Sequence, residues 1–364
     1  MIGPFNRWDI CVTLVGICSC GSSDNAGPID LSHDGLETQS LSSVILNQDS
    51  LLRTPVGIAV IGETIVVSDL NGPPFLHLLN ATTGKRIAAV GVMGEGPSEF
   101  VGPPHFLPAD PSSRSVLRVF DDRLQRIQSF SSDALAGGAT TWRVSSVTTF
   151  PQSVPFLGVA GLPEGGVVAS YLQPESGLIL ARFDSGGRAT RSMGIVEFLD
   201  DRLPKHRLTG AYSHFLCPRD DGRKVAVVYR YAGRIDIYGD STVDFTRAAV
   251  PFPFLPFLDK HPVTKLVAFK SGAANVRRAY SGGCWASHER LYALFRGRLH
   301  GKKGETTPTR ASFIHVFDWA GQLQRILKLD HGAFAIALDA NEQFVYSITL
   351  PDDPGPISVR RSKI

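Results

Sequence analysis

"VGIAVIGETIVVSDLNGPPFLHLLNATTGKRIAAVGVMGEGPSEF", residues 56–100, is the stretch on which the reading of the fold turns. It opens with two apolar runs, "VGIAVI" (56–61) and "TIVVSD" (64–69), separated only by Gly62 and Glu63. Two more runs follow, "LHLLN" (76–80) and "RIAAV" (86–90), joined by the polar, glycine-bearing "ATTGK" (81–85). Runs rich in valine and isoleucine, bounded by glycine, proline and asparagine, are strands. Turns this short fold consecutive strands back on each other as hairpins. Four antiparallel strands in succession result, closed by the glycine-rich decapeptide "GVMGEGPSEF" (91–100).

That decapeptide could be a phosphate cradle, a calcium loop or a connection. A phosphate loop of the Walker kind ends in Gly-Lys-Ser/Thr and opens a helix, and neither feature is present. A calcium loop alternates oxygen ligands along the chain, whereas only Glu95 and Glu99 are offered. The reading left is a structural crossing from one sheet to the next. Its glycines supply positive φ, Pro97 stiffens the path, and Phe100 wedges apolar surface between sheets.

The four-strand unit recurs. Strand pairs like the second one lie at 177–194 ("GLILARFDSGGRATRSMG") and 312–330 ("SFIHVFDWAGQLQRILKLD"), with looser copies at 115–130 and 234–250. Pairs like the first one precede most of them, at 156–171, 214–230, 282–297 and 334–349. The spacing is about 50–70 residues, the pattern of a repeat architecture. Innermost strands starting at Val56, His105, Phe156, His214, Gly282 and Phe334 make about six blades of a β-propeller. The last blade runs out after a third strand at 356–363, and "LSSVIL" (41–46) is free to supply the fourth. Such a closure joins the chain ends and removes an exposed sheet edge. Two β-sandwiches would also account for many short strands, but not for the recurring module. The expected fold is therefore all-β: a six-bladed propeller of four-stranded antiparallel blades, its ring closed by an N-terminal strand.

The units resemble those of six-bladed propellers of the NHL-repeat and TolB-like type, over roughly residues 54–362. "GEGPSEF" (94–100) is similar to the "GxGPxEF" connection of six-bladed propeller lipoproteins in bacterial genomes.

The N-terminus agrees independently. The apolar run from Ile10 to Ile17 is too short to span a bilayer, which takes about 20 residues, and fits the core of an export signal. "ICSC" (17–20) resembles a bacterial lipobox, with Cys18 an unusual middle residue and Asp9 a weakening one. The expectation is a signal peptide over 1–19, lipidation at Cys20, a polar tether over 20–40 and the propeller over 41–364. Deleting 21–33 should then be thermodynamically silent, and deleting 40–50 should not. Gly21 and Ser22 lack the aspartate linked to inner-membrane retention, so the resemblance implies the outer membrane where two membranes exist. Cys217 and Cys284 remain for the folded part, as a disulfide or as two buried thiols.

Composition narrows the function classes. Charged residues at 20% exclude a multi-span membrane protein, and a net charge of +3 gives no basis for nucleic-acid binding. The histidines show no zinc spacing, and no GxSxG elbow occurs. Asp69, Asp121, Asp184 and Asp318 each follow a strand, where a carboxylate caps turn N–H groups more readily than it binds metal. No metal or cofactor is expected.

Segments entering the innermost strands offer Arg53, His105, Tyr212, His214, Arg278, Tyr280 and His331 as candidates for a channel mouth, with Asp330 the one carboxylate. Packing between blades is the competing role, for His105 and Tyr280 first. Long insertions at 195–212, 251–280 and 296–310 fall on the same face, with Arg277, Arg296, Arg298, Lys302 and Lys303 adding positive charge. The expected activity is non-catalytic: a monomeric, lipid-anchored envelope protein holding a protein, peptide or glycan partner, preferably anionic, with this face. The alternative is a hydrolase of the lactonase or glycosidase type, since some six-bladed propellers are calcium-dependent lactonases.

Overall fold

The computed structural model describes residues 33, 35–48, 52–107, 116–131, 144–150, 156–173, 177–198, 208–241, 244–260, 267–269, 277–280, 282–296, 298–299, 312–349 and 356–364. The expected signal peptide, Cys20 and most of the tether lie outside these residues.

Apolar runs such as "VAVVY" (225–229) and "LYALF" (291–295) are buried on both faces, because each is the second strand of a blade sandwiched between neighbours. Outermost strands such as Val144–Thr149 and Ala189–Val196 alternate poorly and are largely exposed. Six sheets result, each an antiparallel meander at its centre. Blade 1 comprises Pro55–Ile61, Thr64–Asp69, Leu76–Asn80 and Arg86–Val90. Blade 2 comprises His105–Leu107, Val116–Asp121, Arg126–Ser131 and Val144–Thr149. Blade 3 comprises Phe156–Gly161, Val167–Gln173, Gly177–Phe183 and Ala189–Val196. Blade 4 comprises His214–Pro218, Val225–Tyr229, Ile235–Tyr238 and Phe245–Arg247. Blade 5 comprises Cys284–Ala286, Arg290–Phe295, Phe313–Asp318 and Leu323–Leu329. Blade 6 comprises Ala333–Leu338, Phe344–Thr349, Val359–Lys363 and, from the N-terminal side, Ser43–Asn47. The six innermost strands touch one another in cyclic order, so the ring is closed. The chain is a six-bladed β-propeller.

Closure uses the expected N-terminal strand, with Ser43 opposite Ser362 and Val44 opposite Arg361. A second element was not expected. Thr38–Leu41 adds to the edge of blade 5, parallel to Leu323–Leu329, and makes that sheet five-stranded. The segment thus clasps blade 5 to blade 6, and Leu41 enters the apolar layer between them. Ser43 donates its backbone N–H and its hydroxyl to Asp330, at 2.9 and 2.7 Å. The tether expected over 20–40 is correspondingly shorter at its end. His33 is buried, stacked on Phe313 with ring centroids 3.6 Å apart, and its Nε2 lies 2.8 Å from Nε2 of His315.

The core is divided into layers between blades. Val66, Leu78, Leu117 and Val119 fill the layer between blades 1 and 2, and Val168, Leu180, Leu216 and Val227 that between blades 3 and 4. The decapeptide 91–100 is the crossing expected. Phe100 is 1% exposed and sits between Phe75 of blade 1 and Phe130 of blade 2, at 6.5 and 6.4 Å between centroids. Gly91 and Gly94 have φ of 86° and 152°, in the region that favours glycine. Gln128 donates to the Glu99 carbonyl at 2.9 Å and Arg126 donates to the same oxygen at 2.8 Å, which ties the loop to blade 2. The four recurring aspartates act as turn caps. Asp69 accepts from the N–H groups of Arg53 and Asn71, and Asp121 from those of Val101 and Leu124. Asp184 and Asp318 cap their own hairpins. Of the two states open for the cysteines, the structure has the disulfide: Cys217 and Cys284 join the innermost strands of blades 4 and 5, with Cα atoms 6.2 Å apart.

Candidate functional site: the channel mouth

Because every blade begins at the axis, the six innermost strands enclose a cavity of about 320 Å³. That is the lower end of the range for small-ligand sites, about 300–1,000 Å³. Its walls are about half apolar, from Val56, Ile58, Phe106, Phe120, Phe156, Leu157, Phe215 and Ile336. The polar side chains that line it are few, namely His105, Asp122, Ser213, His214 and Arg230.

These groups sit where the topology predicts a mouth. Innermost strands start at the face where second strands end, so His105 and Asp122 meet there from two elements of blade 2. His105 Nε2 lies 3.8 Å from Asp122 Oδ2, with both side chains more than half exposed. The imidazole beside it holds the Asp122 carboxyl below its ordinary range, against a smaller opposing effect of burial. Arg230 follows the second strand of blade 4, its N–H bonded to the Ser213 carbonyl at 2.8 Å. Its guanidinium lies over the Phe215 ring, 4.4 Å from the centroid. Burial pushes its pKa down, and the neighbouring Arg278 adds to this.

The seven residues singled out by sequence fall into different environments. His105 is exposed on the cavity wall, contrary to the expectation that it would pack between blades first. His214 reaches the cavity wall but is nearly buried: its Nδ1–H donates to the Tyr212 carbonyl at 2.9 Å, and its Nε2 accepts from the Ser170 hydroxyl at 2.8 Å. Burial pushes its pKa down to about 4, so the ring is neutral at neutral pH. Tyr212 is 1% exposed within the apolar layer of blades 3 and 4, edge-on to Tyr229. Tyr280, also 1% exposed, bonds His315 Nδ1 at 3.0 Å, and burial raises its pKa. His331 is held between Asp330 and Ser347, at 2.7 Å on each side. These three side chains serve the joints between strands and are not among the cavity's lining groups. Arg53 is exposed outside the lining, and Arg278 is half-buried beside Arg230. Sequence reasoning missed Asp122 and Arg230. The doubled aspartate of "FDDR" (120–123) was a usable signal for the first. For Arg230 there was none, since an arginine after "VAVVY" reads as a solvated strand end.

Among the described residues, no three His, Cys, Asp or Glu side chains converge as a set for a metal ion. Chemically the mouth's described residues offer apolar side chains, the Asp122 carboxylate partnered by an imidazole, and the Arg230 guanidinium. Fold and cavity together define a six-bladed propeller with an open axial mouth of mixed apolar and polar lining.

No protein-family model and no curated protein matches the sequence. Among solved structures the chain is similar to a protein of Bacteroides fragilis described as exported, at a TM-score of 0.50 and 13% identity, covering 89% of this chain and 94% of that one. It is also similar to a member of the DUF4221 family from Bacteroides vulgatus, at a TM-score of 0.53 and 9% identity, covering 90% and 97%. At such identities the likeness is one of fold.

Proposed function

We propose that this protein is an exported, lipid-anchored propeller of the NHL-repeat and TolB-like type, whose channel mouth holds a protein, peptide or glycan partner without transforming it. The observation that carries the reading is the mouth itself: a preformed concavity whose lining combines apolar side chains with convergent polar groups, as recognition sites do. The disulfide between innermost strands supports an oxidising compartment, and the lipobox-like "ICSC" supports an anchor at Cys20. Capture from membranes by the full chain tests the binding reading. A partner retained by the wild type and lost with Leu157→Arg, which places a charge on the cavity wall, supports it; retention by both variants refutes it. For the anchor, Cys20→Ser should abolish lipid labelling and leave an unprocessed precursor, and persistent labelling would overturn the assignment.

One observation favours the hydrolase alternative. His105 and Asp122 form an exposed imidazole–carboxylate pair on the cavity wall, the arrangement of a general base. Turnover of lactone or glycoside substrates, lost in His105→Ala, would establish that reading in place of the first.

A further inference from the structure

Arg230, half-buried at the mouth, differs from the buried arginines among the described residues. Arg234 is paired with Asp236, and Arg118 donates to the carbonyls of Leu162, Gly165 and Gly166. Arg126 donates to the carbonyls of Glu95 and Glu99. Arg230 lies over the Phe215 ring, and among the described residues its side chain has neither a carboxylate nor a hydrogen-bond acceptor, whereas Arg126 and Arg234, whose Nε atoms are unpartnered as its own is, are held through their other nitrogens. Arg278 stands beside it, because the N–H of Ala279 bonds the Arg230 carbonyl at 2.9 Å, and the Arg278 Nε is likewise buried and unpartnered. Two half-buried guanidinium groups side by side repel each other, and an anion between them relieves that repulsion. A guanidinium's fork of donors matches a carboxylate, and here it rests over an aromatic ring.

The surroundings narrow the ligand further. Beyond Arg230 the lining is apolar across blade 3, from Phe156 to Val159, and includes Phe106 and Phe120 of blade 2. The cavity is ringed by six strands, so a chain end enters it more readily than a mid-chain segment that must come in and go out.

Resting on the binding function proposed above, we infer that the mouth recognises a carboxylate at the end of an apolar segment, the free C-terminus of a peptide. Arg230 grips the carboxylate, Arg278 reinforces its field, and the last apolar side chains lie against the phenylalanines.

Calorimetric titration of the full chain with acetyl-Ala-Leu-Phe as the free acid, and with the same peptide as its C-terminal amide, tests this. Gaining a charge-assisted bond, the free acid should bind roughly 10- to 150-fold more tightly, and less so at high salt. Arg230→Gln should remove the difference between acid and amide, and Arg278→Gln should reduce it, both with melting temperatures no lower than that of the wild type. Arg230→Lys, which keeps the charge but not the fork, should retain part of it. Equal affinity for acid and amide, discrimination that survives Arg230→Gln, or no binding of either peptide each overturns the inference. Equal binding of both peptides that Leu157→Arg abolishes would leave the binding function standing while removing the carboxylate from it. Acetate and inorganic phosphate serve as further probes: phosphate matching the free acid in affinity would also overturn the inference, as a site for any anion.

Discussion

The bond between Cys217 and Cys284 permits a worked prediction. It closes a loop of 67 residues and ties two innermost strands, the elements on which ring closure depends. On the loop-entropy relation, cross-linking across that separation removes about 15 cal/mol/K from the unfolded chain, or about 4 kcal/mol at 25 °C. The folded unit runs from His33 to Ile364, so its unfolding entropy near the midpoint is about 0.7 kcal/mol/K. Dividing one by the other, reduction should lower the melting temperature by about 6 °C. Scanning calorimetry of the oxidised and reduced wild type gives the cleanest comparison. Cys217 is 1% exposed, so Cys217→Ala adds the loss of packed atoms to the loss of the bond and should fall further. Thiol trapping followed by mass measurement reports the linkage. Two free thiols in protein purified from an oxidising compartment, or oxidised and reduced melts within a degree of each other, would refute the reasoning.

Three other predictions follow from packing and charge. A chain starting at Leu52 lacks both clasp strands and leaves the edge of Val359–Lys363 unpaired, so by calorimetry it should melt well below one starting at His33, which should match the full chain. Phe100→Ala should cost about 3–5 kcal/mol in urea unfolding, because it empties the joint between blades 1 and 2, whereas a surface residue of the same loop such as Val92 should cost little. Burial would raise the Asp330 pKa, but the bonds from His331 and Ser43 outweigh it and hold the carboxyl at about 2. Its stabilisation is present above the unfolded value near 4 and lost as pH falls toward 2, so Asp330→Asn should flatten that limb of the stability–pH curve.

Much of the architecture was legible because a blade is written locally. "VGIAVIGETIVVSD" states a hairpin within its own residues, and the six expected innermost-strand starts lie within two residues of the observed ones. The closing strand was legible by arithmetic, from a last blade one strand short. Thr38–Leu41 was not, because "TQSL" carries no apolar alternation and is a strand only where the edge of blade 5 accepts it. The site was harder still. A tyrosine or histidine at a strand entrance can turn toward the axis or into the joint between blades, and residue type does not decide which. Tyr212 and Tyr280 went into joints where apolar neighbours cover the ring, and His105 went to the axis beside Asp122. The significance of Arg230 depends on Phe215 and Arg278, the latter 48 positions further on, and such a meeting exists only after folding.

Site-specific photo-crosslinking in living cells tests the proposed binding mouth most directly. A photoreactive residue is placed at Leu157, on the cavity wall, and in a second strain at Val147, on the outermost strand of blade 2; the native side chains are 47% and 46% exposed. With exposure matched, only position differs. A discrete adduct from Leu157 and none from Val147 is the result predicted for a partner seated in the channel mouth. An adduct from Val147 with none from Leu157 would contradict it, and would move the partner to the rim of the propeller.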